Sequence, residues 1–180
     1  MRETRTLRFR ASRVMALGAI AAAAISLPPA ASAHETADHR KNRRHVVDRA
    51  LSQIGVRYSY GSESPRSGFD CSGLTYWAFK GHGDTLPRSS RDQWELRDNR
   101  NYKRVWQRDR LRPGDLMFFN TSGSGVSHVA IYIGHNKMVH TGSGRGDVGK
   151  DSINMDYYKA RYVGAVRVPA FRRPSGSENR

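Results

Sequence analysis

The chain contains a single cysteine, Cys71, within Gly68-Phe69-Asp70-Cys71-Ser72-Gly73-Leu74, and seven histidines. A thiol attacks an acyl carbon when it is held as thiolate, when an imidazole shuttles its proton, and when a further group fixes that imidazole in one tautomer. Spacing selects two histidines for these roles. His128 opens an alternating apolar segment, and His140 follows across a turn at Gly134. A hairpin at that turn makes the two imidazoles close to cross-strand neighbours, so that one orients the other. The expected catalytic set is Cys71 as nucleophile, His128 as base and His140 as orienting group. His34, His39, His45, His82 and His135 fall in or beside a basic segment, after a helix end or at a turn, and read as surface side chains. Zinc is the rival use of a cysteine and two histidines, since catalytic zinc takes three protein ligands and a water. With no CxxC, no HExxH and no short ligand pair to seed such a site, no metal or cofactor is expected.

The nucleophile needs a helix. Cys71, Leu74, Thr75 and Ala78 recur at i, i+3, i+4 and i+7, predicting a helix that ends near Gly81 with Cys71 on the inward face of its first turn. Asp70 is an N-cap candidate for the amides of Ser72 or Gly73. Those amides and the positive helix end are expected to favour thiolate over thiol. Val56 to Gly68, rich in turn formers, reads as a loop leading into the cysteine. Before it, Val46, Val47, Ala50, Leu51 and Ile54 predict a packing helix from His45, stopped by Gly55.

Leu86-Pro87-Arg88-Ser89-Ser90 ends in serines that can cap a second helix, roughly 91–97, with Trp94 inward. Residues 98–110 read as a charged surface excursion. Pro113-Gly114 suits the centre of a type II turn feeding a buried strand at Leu116 to Phe119. In Ser127 to Ile133, His128, Ala130 and Tyr132 share one face and Val129, Ile131 and Ile133 the other. Lys137 to Thr141 returns antiparallel, and a last strand is expected at Tyr162 to Val168. Helices first and a meander of strands afterwards predict an α+β domain with an antiparallel sheet.

At 180 residues, one domain is expected. Residues 1–33 read as an export signal. Arg2, Arg5, Arg8, Arg10 and Arg13 form a cationic head, Val14 to Leu27 is apolar, and Ala31-Ser32-Ala33 supplies small residues for cleavage. That apolar run falls short of the ~20 residues a spanning helix needs, so the mature chain is expected to start at His34, secreted, monomeric and without a transmembrane segment. Residues 34–44 then form a mobile basic arm, 45–168 the catalytic domain and 169–180 a frayed basic tail. Net charge is +15 for the whole chain and +11 once the leader's five basic and one acidic residues are removed. Such a surplus draws a protein to polyanions. In an exported chain these are anionic wall polymers and phospholipid heads rather than nucleic acid, for which the aromatic and basic interleaving that stacks bases is missing. An unpaired thiol in an exported chain is itself a sign of reactivity.

Phe69-Asp70-Cys71-Ser72-Gly73-Leu74, with Arg57-Tyr58-Ser59-Tyr60-Gly61 before it and Leu86-Pro87-Arg88-Ser89-Ser90, Leu111-Arg112-Pro113-Gly114-Asp115-Leu116-Met117-Phe118-Phe119 and Ser127-His128-Val129-Ala130-Ile131-Tyr132-Ile133-Gly134 after it, resembles the NlpC-type family of papain-like cysteine peptidases that cut bacterial cell-wall peptides. The likeness runs from about Val46 to Val168, with its motifs in order. It implies a papain-like α+β fold in which the nucleophile helix packs on an antiparallel sheet bearing the histidines. It also implies the bond: the amide between the γ-carboxyl of D-glutamate and the diamino acid of a peptidoglycan stem peptide. By resemblance Cys71 is the nucleophile, His128 the base and His140 the third polar group. Tyr58 matches the tyrosine whose hydroxyl faces the cysteine, and Asp70 and Ser72 match positions that shape the substrate site. Family members commonly read Trp-Gly-Gly where this chain has Tyr60-Gly61-Ser62, which bears on the shape of the cleft wall. Two other functions remain open on the same fold: a wall-binding protein without hydrolysis, and an acyltransferase.

Overall fold

The computed structural model describes residues 30–81 and 84–169, with side chains from Arg40 onward. The expected export signal up to residue 29, His82 and the expected tail from residue 170 lie outside the described residues.

Helix α1 (Ala30–Leu51) is longer than the helix predicted from His45, so the expected basic arm is helical, not irregular. Neither glycine nor proline interrupts residues 30–51, and arginine, lysine and alanine are good helix formers. The segment has no apolar periodicity, while Val46, Val47 and Ala50 bury the last turns of the helix. The helix stops at Leu51, which leaves Ile54 46% exposed instead of inward.

The segment predicted as loop contains a short antiparallel pair, β1 (Glu63–Ser64) and β2 (Gly68–Phe69). Helix α2 (Cys71–Lys80) follows, then α3 (Ser90–Glu95), capped by the Ser89 hydroxyl accepting from the Asp92 amide. Seven further strands and α-helices follow among the described residues: β3 (Lys103–Val105), β4 (Leu116–Phe119), β5 (His128–Gly134), β6 (Lys137–Thr141), β7 (Val148–Ser152), α4 (Asp156–Lys159) and β8 (Tyr162–Arg167). Strand β3 lies in the stretch expected to be a surface excursion, and β7 and α4 lie where no element was expected.

One antiparallel sheet takes the order β3-β8-β4-β5-β6-β7. Its alternation divides the core. Leu116, Phe118, Val129, Ile131 and Val139 pack with Leu74, Ala78 and Phe79 of α2 and with Val46, Val47 and Ala50 of α1. Met117, Phe119, Ala130, Tyr132 and Met138 pack on the opposite face with Tyr158 and Ala165. The two faces of β5 are those the sequence predicted. Its hairpin with β6 closes through His135 and Asn136, whose φ values of 51° and 55° are those of a type I′ turn, whose twist matches the flanking strands. At Gly114 φ is 91°, and the Asp115 amide donates to Arg112 O at 3.0 Å, as the Pro-Gly turn requires. Beneath that turn, fully buried Asp115 pairs with Arg167, whose Nε and Nη2 donate at 2.8 and 2.7 Å.

Candidate active site

Asp70 fixes the start of α2. Its Oδ1 accepts from the Gly73 amide at 2.6 Å, one of the two amides expected, and its Oδ2 accepts from Gly61 N at 2.9 Å. Arg88 donates to both carboxylate oxygens, each at 2.9 Å, to Ser72 Oγ at 3.1 Å and to Ser62 O at 3.1 Å, and it also pairs with Glu63 at 2.7 Å. One guanidinium thus ties the Tyr60-Gly61-Ser62 loop to the helix cap. Burial pushes the Asp70 carboxyl up, but hydrogen bonds from Arg88, Gly73 and Gly61 prevail and hold it below its ordinary range. The polar atoms of Asp70 and Ser72 are engaged inside the protein, where with Arg88 they hold the Tyr60-Gly61-Ser62 loop against the start of α2. Tyr60, 89% exposed, stands out from that loop into solvent.

Cys71 is half-buried, and the backbone amides of Val129, Ser72 and Cys71 itself favour its thiolate. Val129, one residue from His128, lies on β5, the strand that packs against α2. Burial outweighs the three amides, and with Asp70 nearby it raises the thiol above its ordinary value. The expectation that the helix end would favour thiolate is therefore reversed in the resting protein: a helix start stabilises an anion by a modest amount, less than a desolvated sulfur loses. Tyr58, half-buried and bridged to Phe69, lies near enough to Cys71 and Asp70 that, after burial, their charges raise its phenol.

Behind the thiol stands a chain of hydrogen bonds. His128 Nε2 is 3.2 Å from His140 Nδ1, and His140 Nε2 is 2.9 Å from Asp151 Oδ2. Asp151 also accepts from Tyr158 Oη at 3.3 Å and from Arg145 Nη1 at 3.0 Å. A carboxylate only accepts, so His140 carries its proton on Nε2 and presents a lone pair at Nδ1. His128 must then donate from Nε2, leaving its own Nδ1 as the basic nitrogen. Burial, with His140 beside it, pushes His128 down to about 3. His140 is also lowered by burial, despite Asp151 pulling the other way. Burial alone would raise Asp151, but hydrogen bonding and charge from His140, Arg145 and Tyr158 keep it ionised.

The two imidazoles are brought together as expected, though as diagonal rather than directly opposed neighbours, since β5 and β6 pair Ile131 with Val139. Among the described residues no hydrogen bond joins Cys71 Sγ to either ring. Sequence reasoning missed Asp151, Tyr158 and the clamp made by Arg88. Asp151 pairs with Met138 across β6 and β7, which sets it diagonal to His140. Its only signal is that register, because Val-Gly-Lys-Asp-Ser has no apolar alternation. Among the described residues no group of His, Cys, Asp or Glu is arranged to hold a metal, and no helix is long and apolar enough to cross a membrane.

A thiol at the capped start of a helix, packed on an antiparallel sheet that carries two linked imidazoles, is the papain-like α+β arrangement. The chain is 37% identical over 140 residues to murein DD-endopeptidase MepH of Escherichia coli (strain K12), covering 77% of this chain and 50% of MepH. It is 33% identical over 147 residues to gamma-DL-glutamyl hydrolase of Bacillus subtilis (strain 168), covering 80% of this chain and 34% of that protein. Among solved structures, the peptidoglycan hydrolase RipB of Mycobacterium tuberculosis superposes with a TM-score of 0.61 at 29% identity, covering 82% of this chain and 74% of RipB. The NlpC/P60 family matches residues 55–167, and the chain belongs to that family. It spans half or less of the length of the two curated relatives.

Proposed function

We propose that this chain is a cysteine endopeptidase acting on peptidoglycan stem peptides outside the cytoplasm, with Cys71, His128 and His140 as its catalytic residues. The observation that carries the reading is the ordered line His128–His140–Asp151, beginning one residue from Val129, whose amide favours the Cys71 thiolate. Catalytic hydrogen bonds are often long in a free enzyme and tighten on substrate, and here substrate brings the thiol and His128 Nδ1 into contact.

The thiol gives its proton to His128 Nδ1 as sulfur attacks the amide carbon. The Cys71 amide and the Tyr58 hydroxyl donate to the developing oxyanion, one such donor being worth ~3 kcal/mol of barrier. His128 then protonates the leaving amine as the C–N bond breaks, leaving a thioester. Water, losing a proton to His128, attacks the thioester carbon, and carboxylate and thiol are released. Throughout, Asp151 holds His140 in the tautomer that accepts from His128.

The bond is the amide between the D-glutamate γ-carboxyl and the diamino acid, a reading the gamma-DL-glutamyl hydrolase relative supports. The MepH relationship favours a second reading, cleavage of the D,D cross-link. Mass spectrometry of muropeptides after digestion separates them: the first truncates stems, and the second converts cross-linked dimers into monomers with stems intact. Parent protein should release new amino groups from purified wall and Cys71→Ala protein none. Equal release by both would sink the assignment. Wall that sediments the protein while its muropeptides stay unchanged would instead indicate a binding protein, and transfer of the acyl group to an added amine an acyltransferase.

A further inference from the structure

A second feature lies away from the thiol. Between α1 and the turns at Pro113 and Gly134 runs an open groove of about 1120 Å³. Arg40, Lys41, Arg43 and Arg44 come to it from α1, Arg112 and His135 from the turns, and among the described residues Asp48 is the one carboxylate on its wall. Arg40, Arg43, Arg44, Val47 and Leu51 fall at i, i+3, i+4, i+7 and i+11, a single stripe of the helix. Among the described residues none of its four arginines is ion-paired to a carboxylate. Asp115, the nearby buried acid, is already taken by Arg167. Partial burial and then the neighbouring cations Arg112 and Arg167 push the Arg43 guanidinium down, so the groove holds mutually repelling positive charge.

We propose that this groove binds an anionic phosphodiester polymer and so holds the protein on a wall. Guanidinium groups match phosphate oxygens bidentately. The floor of Val47, Leu51 and Ile133 accepts the apolar backbone between phosphates. A concave channel admits a strand, whereas a flat lipid leaflet meets only its rim. Among the described residues no Phe, Tyr or Trp lines it, so these offer no platform for stacking bases. The groove reaches Ile133 and His135 at the far end of β5 from His128, roughly 17 Å away at ~3.3 Å per residue. Polymer and stem peptide can therefore be held at once.

The test measures binding of soluble poly(glycerol phosphate) to the full chain carrying Cys71→Ala, over a range of salt concentrations, so that the outcome does not depend on peptidase activity. Arg40→Gln/Arg44→Gln/Arg112→Gln should weaken binding at least tenfold at low salt and flatten the log–log salt dependence by about 2. A charge-matched set on the exposed residues Arg66, Arg91 and Arg100, each changed to Gln, should weaken it less than about threefold at the same salt. An unchanged thermal unfolding midpoint identifies the loss as one of binding. If the groove set shifts that midpoint, Arg112→Gln alone, which is exposed, decides the matter. Equal loss in both sets would overturn the site in favour of diffuse charge. Binding to anionic phospholipid vesicles with none to the polymer would overturn the ligand.

Discussion

At the scale of single residues, the site rests uncharged at its reactive end: burial raises the Cys71 thiol and lowers His128 to about 3. Iodoacetamide should therefore alkylate Cys71 at a rate that climbs with pH and levels off only above the ordinary thiol value of about 8.5. A plateau between pH 5 and 8 would instead reveal a preformed thiolate–imidazolium pair. The sign for catalysis follows from His128. Its base form exists above its own pKa, so the acid limb of kcat/KM should fall below the ~6.5 of an ordinary histidine. Asp151→Asn should lower kcat by ~10² or more with little change in KM, because the amide can turn either its oxygen or its NH₂ to His140 and no longer dictates the tautomer. A parental kcat would remove Asp151 from the account. The thiol and the two imidazoles proposed to act together were legible as a lone cysteine and two strand-borne histidines. Asp151 was not, because its place beside His140 depends on strand register, which residue types in an irregular stretch do not encode.

Among the elements, the approach of the Tyr60-Gly61-Ser62 loop to α2 is the most sensitive join. A Cβ on Gly73 would lie 2.1 Å from Ser62 O, a backbone atom that the Arg88 clamp and Asp70 N–H, bonded to the same carbonyl, hold in place. Gly73→Ala should cost ~2 kcal/mol in chemical denaturation and lower activity by displacing the cleft wall. An unchanged midpoint would mean that the loop yields freely. Helix α3 is tied to α2 by fully buried Gln93, whose amide donates to Ser72 O at 3.2 Å and to Pro87 O at 2.8 Å. Elements with a clear apolar period (α2, β4, β5, β6 and β8) stand close to where the sequence put them. The first turns of α1 and strand β7 were hidden for different reasons: the first turns of α1 have no apolar period, and β7 owes its place to pairing with β6, not to its own pattern.

Across the whole molecule, the sheet separates two tasks. One face receives the helices that set the thiol, and the other gathers His128, His140 and Tyr158 against Phe119. The buried Asp115–Arg167 pair joins β8 to the turn before β4. Arg167→Met, which leaves that carboxylate without its ion-pair partner, should cost ~3–5 kcal/mol by denaturant unfolding. A loss within experimental error would show that water reaches Asp115. The +15 charge, read first as a general attraction to polyanions, gathers in part into one groove because α1 continues through the basic segment. Everything claimed for the chemistry passes through a covalent bond to one sulfur. The most direct test is intact-protein and peptide mass spectrometry of protein acid-quenched during turnover of a synthetic stem peptide. The account predicts an acyl adduct that maps to Cys71 and disappears as substrate is exhausted. Sustained turnover by protein whose Cys71 has been completely alkylated would contradict it.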